Sequence, residues 1–221
     1  MRSALLLVLT VAICFALGPV CCGVANATPS GNHNGKFALN IAGPHGVKTN
    51  RCLFDITDCN TQLVTDSTDL SGRYDIHIIA MDVEEIAAGR FGLDCEVTLG
   101  PDFTFYDWRN CTDFENPTAG WPGCGEGNAV SWTSPQPGPH VVIGFFDVYL
   151  SPDMNAQLCA DVDPRVGFAE FCDGSEPAPF CVRTTNPNAF GCVGFNRLGY
   201  NPCGIVPVQR STWGSLKSLY R

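Results

Sequence analysis

His140-Val141-Val142-Ile143-Gly144-Phe145-Phe146-Asp147-Val148-Tyr149-Leu150 is apolar on both sides of an extended chain. Strict alternation puts Val141, Ile143, Phe145 and Tyr149 on one face and Val142, Phe146, Val148 and Leu150 on the other. A strand with one solvated face alternates apolar with polar, so this one is predicted to lie mid-sheet, covered on both faces.

Its neighbours in sequence repeat the strand signal with one apolar side. Tyr74, Ile76, Ile78 and Ala80 oppose Asp75, His77, Ile79 and Met81, and Phe37, Leu39 and Ile41 alternate with Ala38, Asn40 and Ala42. Arg90 to Thr98, Phe103 to Trp108, Val130 to Thr133, Gln157 to Val162 and Val166 to Phe171 read as further strands. Glu84 to Ala88 is expected as a single helical turn. Prolines at 135, 137, 139, 152, 164, 177 and 179 fall between the apolar runs, where a missing N–H does not break a ladder. Many short strands with Gly/Pro turns predict an all-β fold, an antiparallel β-sandwich or jelly roll over 36–206. After Cys172 the pattern gives way to a Cys-, Pro- and Asn-rich part in which disulfides replace a core.

The formal charge of −9 over 221 residues argues against a nucleic-acid partner, which requires a basic face. The charge divides unevenly. Residues 28–206 hold 9 basic and 22 acidic side chains, whereas 207–221 carry Arg210, Lys217 and Arg221 and no acid. In that tail Trp213, Leu216, Leu219 and Tyr220 stand near helical spacing, so it reads as a basic amphipathic segment. Two readings remain open for it: a short terminal helix docked on the sandwich, or a sorting or attachment tag.

Residues 1–27 are expected to be a signal peptide. Arg2 supplies the positive start, Ala4 to Leu17 the apolar run, and Ala25-Asn26-Ala27 the small-x-small cleavage pattern. Residues 28–35 then form a loose end. Cleavage would remove Cys14, Cys21 and Cys22 of the 13 cysteines and leave Cys52, Cys59, Cys95, Cys111, Cys124, Cys159, Cys172, Cys181, Cys192 and Cys203. An even set in an exported chain predicts disulfides. The short-range pairings expected are Cys52 with Cys59, Cys172 with Cys181, and Cys192 with Cys203. No C-x2-C pair survives and the histidines do not cluster with cysteines, so no metal site of that kind is expected.

Phe91-Gly92-Leu93, Gly120-Trp121-Pro122, Gly127-Asn128-Ala129-Val130-Ser131-Trp132 and the closing Thr212 to Arg221 carry a resemblance. Together they resemble uncharacterised secreted bacterial proteins with a C-terminal Trp-Gly…Lys…Leu-Tyr-Arg ending, here Trp213, Lys217, Tyr220 and Arg221. The resemblance implies a secreted or cell-surface chain and brings no mechanism with it. Ile86-Ala87-Ala88-Gly89-Arg90-Phe91 also resembles the turn entering a strand in cohesin-like and carbohydrate-binding sandwiches.

Chemistry-bearing motifs are sparse: the chain has neither a G-x-S-x-G elbow nor an H-E-x-x-H pair. Gly123-Cys124-Gly125-Glu126-Gly127 reads as a turn. The densest aromatic cluster runs from Phe103 to Trp132, and within it Trp121, Trp108, Tyr106 and Glu115 are the candidate binding residues. An aromatic on a loop could stack on a sugar or a protein partner, or cap the sandwich edge. Asp113, Glu115 and Glu126 flank Trp121 and could serve glycoside hydrolysis if two carboxyls lay about 5–10 Å apart. Asp161-Val162-Asp163 and Asp66-Ser67-Thr68-Asp69 are the segments with Ca²⁺-type oxygen donors; solvated turns are their ordinary reading, and no cofactor is expected. The expected function is a non-enzymatic exported module that is structural, adhesive or recognises a cell-surface glycan or protein. The alternative is a secreted polysaccharide hydrolase using carboxylates near Trp121.

Overall fold

Lys36–Pro44 (β1), Gly72–Met81 (β3), Thr104–Asn110 (β5) and His140–Leu150 (β8) pair antiparallel into one sheet, in the order β1-β3-β8-β5. The computed structural model describes residues 31–46, 51–54, 56–68, 71–175 and 178–203. The expected signal peptide, and the basic tail for which a terminal helix is one expectation, lie outside these residues.

The second sheet is built on Glu85–Leu99 (β4), a strand of 15 residues. Gly127–Pro137 (β7) pairs with its first half, and Phe114–Pro117 (β6) pairs with β7. Asn155–Asp161 (β9) pairs with the second half of β4, followed outward by Cys192–Phe195 (β12) and the two-residue Asp66–Ser67 (β2). Ala169–Cys172 (β10) and Cys181–Thr184 (β11) add a hairpin at Ala88–Arg90. Gly92 faces Gly127 on one side and Asp161 on the other, so β9 and β10 follow one line along the same edge of β4. The excursion 162–168 interrupts that line. Among the described strands β12 and β2 pair in parallel, and a parallel bridge joins Phe37 to Phe190.

Between the sheets the inward side chains form one apolar core that includes Phe37, Ile76, Phe91, Phe146, Leu158 and Phe171. Phe37 stacks on Phe171 at 4.2 Å between ring centroids. A second, smaller core lies outside the first sheet. Residues 51–63, with the turn Arg51–Leu53 and the short helix α1 (Cys59–Gln62), lay Ile56, Cys59 and Leu63 over Ala38, Ile79, Met81 and Val142. Each fully buried aliphatic side chain contributes about 1.5–3 kcal/mol, which explains why β8 is apolar on both faces.

The division of β8 into two faces differs from strict alternation. The register shifts between Ile78 and Ile79 of β3, where Gly144 and then Val142 are the partners on β8. This bulge leaves Ile143 as an extra residue, so Val141 and Ile143 join Phe146, Val148 and Leu150 in the main core. Glu84 to Ala88 is not a helical turn: β4 begins at Glu85, because Glu85 and Ile86 pair with Pro137 and Gln136. Pro135 and Pro137 accordingly lie within β7. Part of the expected loose end, Gly31–Asn34, is a 3₁₀ turn whose Asn32 Nδ2 donates to the Glu85 carbonyl at 2.7 Å.

All ten cysteines from Cys52 onward are paired. Cys172–Cys181 joins directly opposed residues of the β10–β11 hairpin, as expected. Two other expected pairings are corrected. Cys192 bonds Cys159, its neighbour across β12 and β9, and Cys203 returns to Cys59 at the start of α1. Cys52 bonds Cys111 just beyond β5, and Cys95–Cys124 ties the 118–126 loop to β4. In the corrected pairs sheet adjacency or the closure of a cover governs the pairing, and nearness in sequence does not.

Candidate functional site

Loop 118–126 continues the β4 ladder: Leu93 N donates to the Glu126 carbonyl at 2.9 Å, and Gly125 N to the Leu93 carbonyl at 2.7 Å. With Cys124 fixed to Cys95, the loop presents Trp121 to the open edge between the sheets. There the Trp121 ring meets Phe91 at 5.6 Å and Trp108 at 5.1 Å, edge to face in both cases. Trp108 comes from β5, and its Nε1 donates to Glu115 Oε2 at 2.7 Å. The same oxygen accepts from Asn128 Nδ2 at 2.9 Å. Trp121 Nε1 and Asn128 Oδ1 are buried in this cluster with no hydrogen-bond partner among the described residues. Trp108, Trp121 and Glu115 are therefore brought together, as a plug in the sandwich edge.

Tyr106 stands apart. The bulge between Phe105 and Trp108 turns it to the outer face of the first sheet, where the Arg73 guanidinium lies 4.2 Å above its ring. The three candidate carboxylates have separate surroundings, Glu115 being held by Trp108 and Asn128. Asp113 accepts from Thr133 N at 2.7 Å, a bond that holds its carboxyl below the usual range. Glu126 packs its side chain against Gly120 and Gly123. The tail residues Trp213, Lys217, Tyr220 and Arg221 lie outside the described residues, as does Asp69 of the 66–69 segment.

Asp163, in the excursion between β9 and β10, is fully buried. Burial pushes its carboxyl up. Arg165 outweighs that through its backbone N–H and Nε, each 2.9 Å from Oδ1, and its Nη2, 2.6 Å from Oδ2, so the group sits below the ordinary 3.8. A depressed carboxyl adds stability that is present above the ordinary value and lost as pH falls through and below it. Melting temperature should therefore drop as pH is lowered from about 5 toward 2, and Asp163→Asn should make that acid-side drop shallower. An unchanged slope would refute the assignment. Among the described residues two groups have metal-ligand proximity, Cys59/His140/Cys203 and Glu170/Cys172/Cys181, but their sulfurs are in disulfides and offer no thiolate.

Sequence reasoning missed a charged network on the outer face of the first sheet. Asp75 and Asp147 oppose each other on β3 and β8, and both are buried. Arg51 Nε lies 2.7 Å from Asp75 Oδ2 as an ion pair, its N–H not aligned for a hydrogen bond. His45 Nδ1 lies 2.7 Å from Asp75 Oδ1 and 3.5 Å from Asp147 Oδ2, and Arg73 pairs with Asp147. The available signal was an acid inside each of two apolar strands.

No helix among the described residues is long and apolar enough to cross a membrane. No protein-family model and no curated protein matches the sequence. Among solved structures, the chain is similar to a cohesin module of a family 33 glycoside hydrolase from Clostridium perfringens ATCC13124. The two superpose over 73% of this chain and 96% of that one, with a TM-score of 0.41 and 6% identity. A likeness this shallow leaves the function to be read from the residues themselves.

Proposed function

We propose that the chain is an exported, non-enzymatic β-sandwich serving as a structural, adhesive or recognition module at or beyond the cell surface. The observation that carries this reading is the use made of Glu115. A glycosidase acid must be free to protonate a leaving oxygen, and its partner must face the sugar or a water. Glu115 Oε2 is already held by Trp108 and Asn128, and Asp113 is held by Thr133. The tryptophans pack edge to face on each other and on Phe91 at the edge of the sandwich. Five disulfides suit an oxidising environment outside the cytosol.

The test combines catalysis and retention. Oxidised full-length protein incubated with a panel of polysaccharides should release no reducing sugar above buffer, and Glu115→Gln should behave identically. The same protein should be retained by a cell-envelope fraction. Hydrolysis that Glu115→Gln abolishes would establish the hydrolase alternative instead.

A further inference from the structure

The outer face of the second sheet gathers three arginines, Arg90, Arg165 and Arg183, on an acidic domain. Cross-strand pairing places Arg183, Glu170, Arg90, Ala129 and Asn116 in one row across β11, β10, β4, β7 and β6. The adjacent row on the same face runs Cys181, Cys172, Ala88, Ser131 and Phe114. Two acids serve three arginines here. Arg183 Nε takes Glu170 at 2.8 Å and Arg165 Nη2 takes Asp163 at 2.6 Å. Arg90, between them, reaches those carboxylates only at 4.0 and 3.8 Å, and its buried Nε–H has no acceptor. A guanidinium that is 30% exposed and only loosely paired with two acids already taken by other arginines can accept a further carboxylate at its outer nitrogens.

Beside Ala129, the cross-strand partner of Arg90, lies a hollow of about 210 Å³, room for a single sugar ring, lined by Phe114, Glu115, Asn116, Ala129, Val130 and Ser131; the Glu115 carboxylate is engaged by Trp108 and Asn128. Small side chains keep its floor low, and Phe114 stands 64% exposed at its rim. Phe114 and Arg90 are two strands and one row apart, about 12 Å between Cα atoms by sheet geometry. With the two side chains reaching up from that spacing, a pyranuronate offers each its partner, a C–H face for the ring and a carboxylate for the guanidinium. A carboxylate on a flexible peptide side chain would give the exposed aromatic nothing flat to cover.

We propose that this face binds the acidic sugar unit of a polysaccharide, with Arg90 taking the carboxylate and Phe114 stacking on the ring. The proposal rests on the recognition reading above and gives it a ligand class. The test uses oxidised full-length protein in affinity electrophoresis against polygalacturonate, alginate, methyl-esterified polygalacturonate and poly-glutamate. We expect retardation by both acidic glycans, weakening with added salt, and little by the esterified form. Phe114→Ala and Arg90→Gln should each weaken binding about tenfold or more. Phe114→Ala removes an exposed side chain and leaves the fold intact, which an unchanged melting temperature checks. Failure of both acidic glycans to bind would overturn the proposal, as would equal binding of the esterified form or indifference to Phe114→Ala. Poly-glutamate binding that ignores Phe114→Ala would overturn it in favour of an acidic peptide. Retention by the envelope fraction without acidic-glycan binding would sink this site and leave the recognition reading standing.

Discussion

Arg51→Met should lower the unfolding free energy by about 3–5 kcal/mol, because it strands a buried carboxylate. Arg51 is 2% exposed, and its guanidinium does three things at once. Nε faces Asp75 at 2.7 Å, while Nη1 and Nη2 donate to the carbonyls of Ala42 and Pro44, each at 2.9 Å. The side chain thus fastens the cover over 51–63 to the end of β1 and to the middle of β3. Methionine keeps most of the volume and none of the donors, leaving Asp75 with His45 as its remaining partner. Adding Asp75→Asn to Arg51→Met should restore part of the loss, since the uncompensated charge is then gone. Urea denaturation of wild type, both single variants and the double variant gives the coupling directly. A cost below about 1 kcal/mol for Arg51→Met would mean that the ion pair does not hold the cover.

Replacing Cys59 and Cys203 together by serine should cost about 2–4 kcal/mol. The bond closes a span of 144 residues, the longest of the five. The other four links already shorten the effective loop in the unfolded chain, which keeps the figure within the usual range. A further consequence is local. Cys203 packs against Met81, and Cys59 belongs to the small core with Ile56, Leu63 and Val142. Without the bond this cover should loosen first, so its amides should exchange hydrogen faster than those of β3 and β8 beneath it. Equal protection in the variant and wild type would contradict the view that the bond holds the cover down.

How far the sequence revealed this arrangement depends on the range of each interaction. Alternation at Phe37, Leu39 and Ile41, and at Ile76 and Ile78, placed strands correctly because a two-residue period is a local property. The two-sided β8 pointed to a second cover, but nothing local identified 51–63 as that cover. Bulges defeated the face assignments. One extra residue at Ile143 moved two side chains into the main core, and another between Phe105 and Trp108 separated Tyr106 from the two tryptophans. Cys172–Cys181 was legible because a hairpin brings near neighbours together, whereas Cys59–Cys203 joins elements that meet only once both sheets exist. Trp108, Trp121 and Glu115 were legible as a group, yet their role was not, since Asn128 and the loop tie at Cys95–Cys124 close the cluster from a distance. The arginine row on the outer face became visible only with the register of five strands.

The Cys59–Cys203 bond also sets how the domain bears a mechanical load. Tension entering through β1 and leaving beyond Cys203 passes along residues 36–59 and then crosses the sulfur bridge. The 144-residue span between those cysteines is shielded from the pull. At about 3.4 Å per residue, only about 80 Å of chain can pay out, against roughly 490 Å for the shielded span. A domain with this architecture yields a short, fixed length under shear, giving up β1 and the cover, and then stops with the second sheet and the face it presents still inside the closed span.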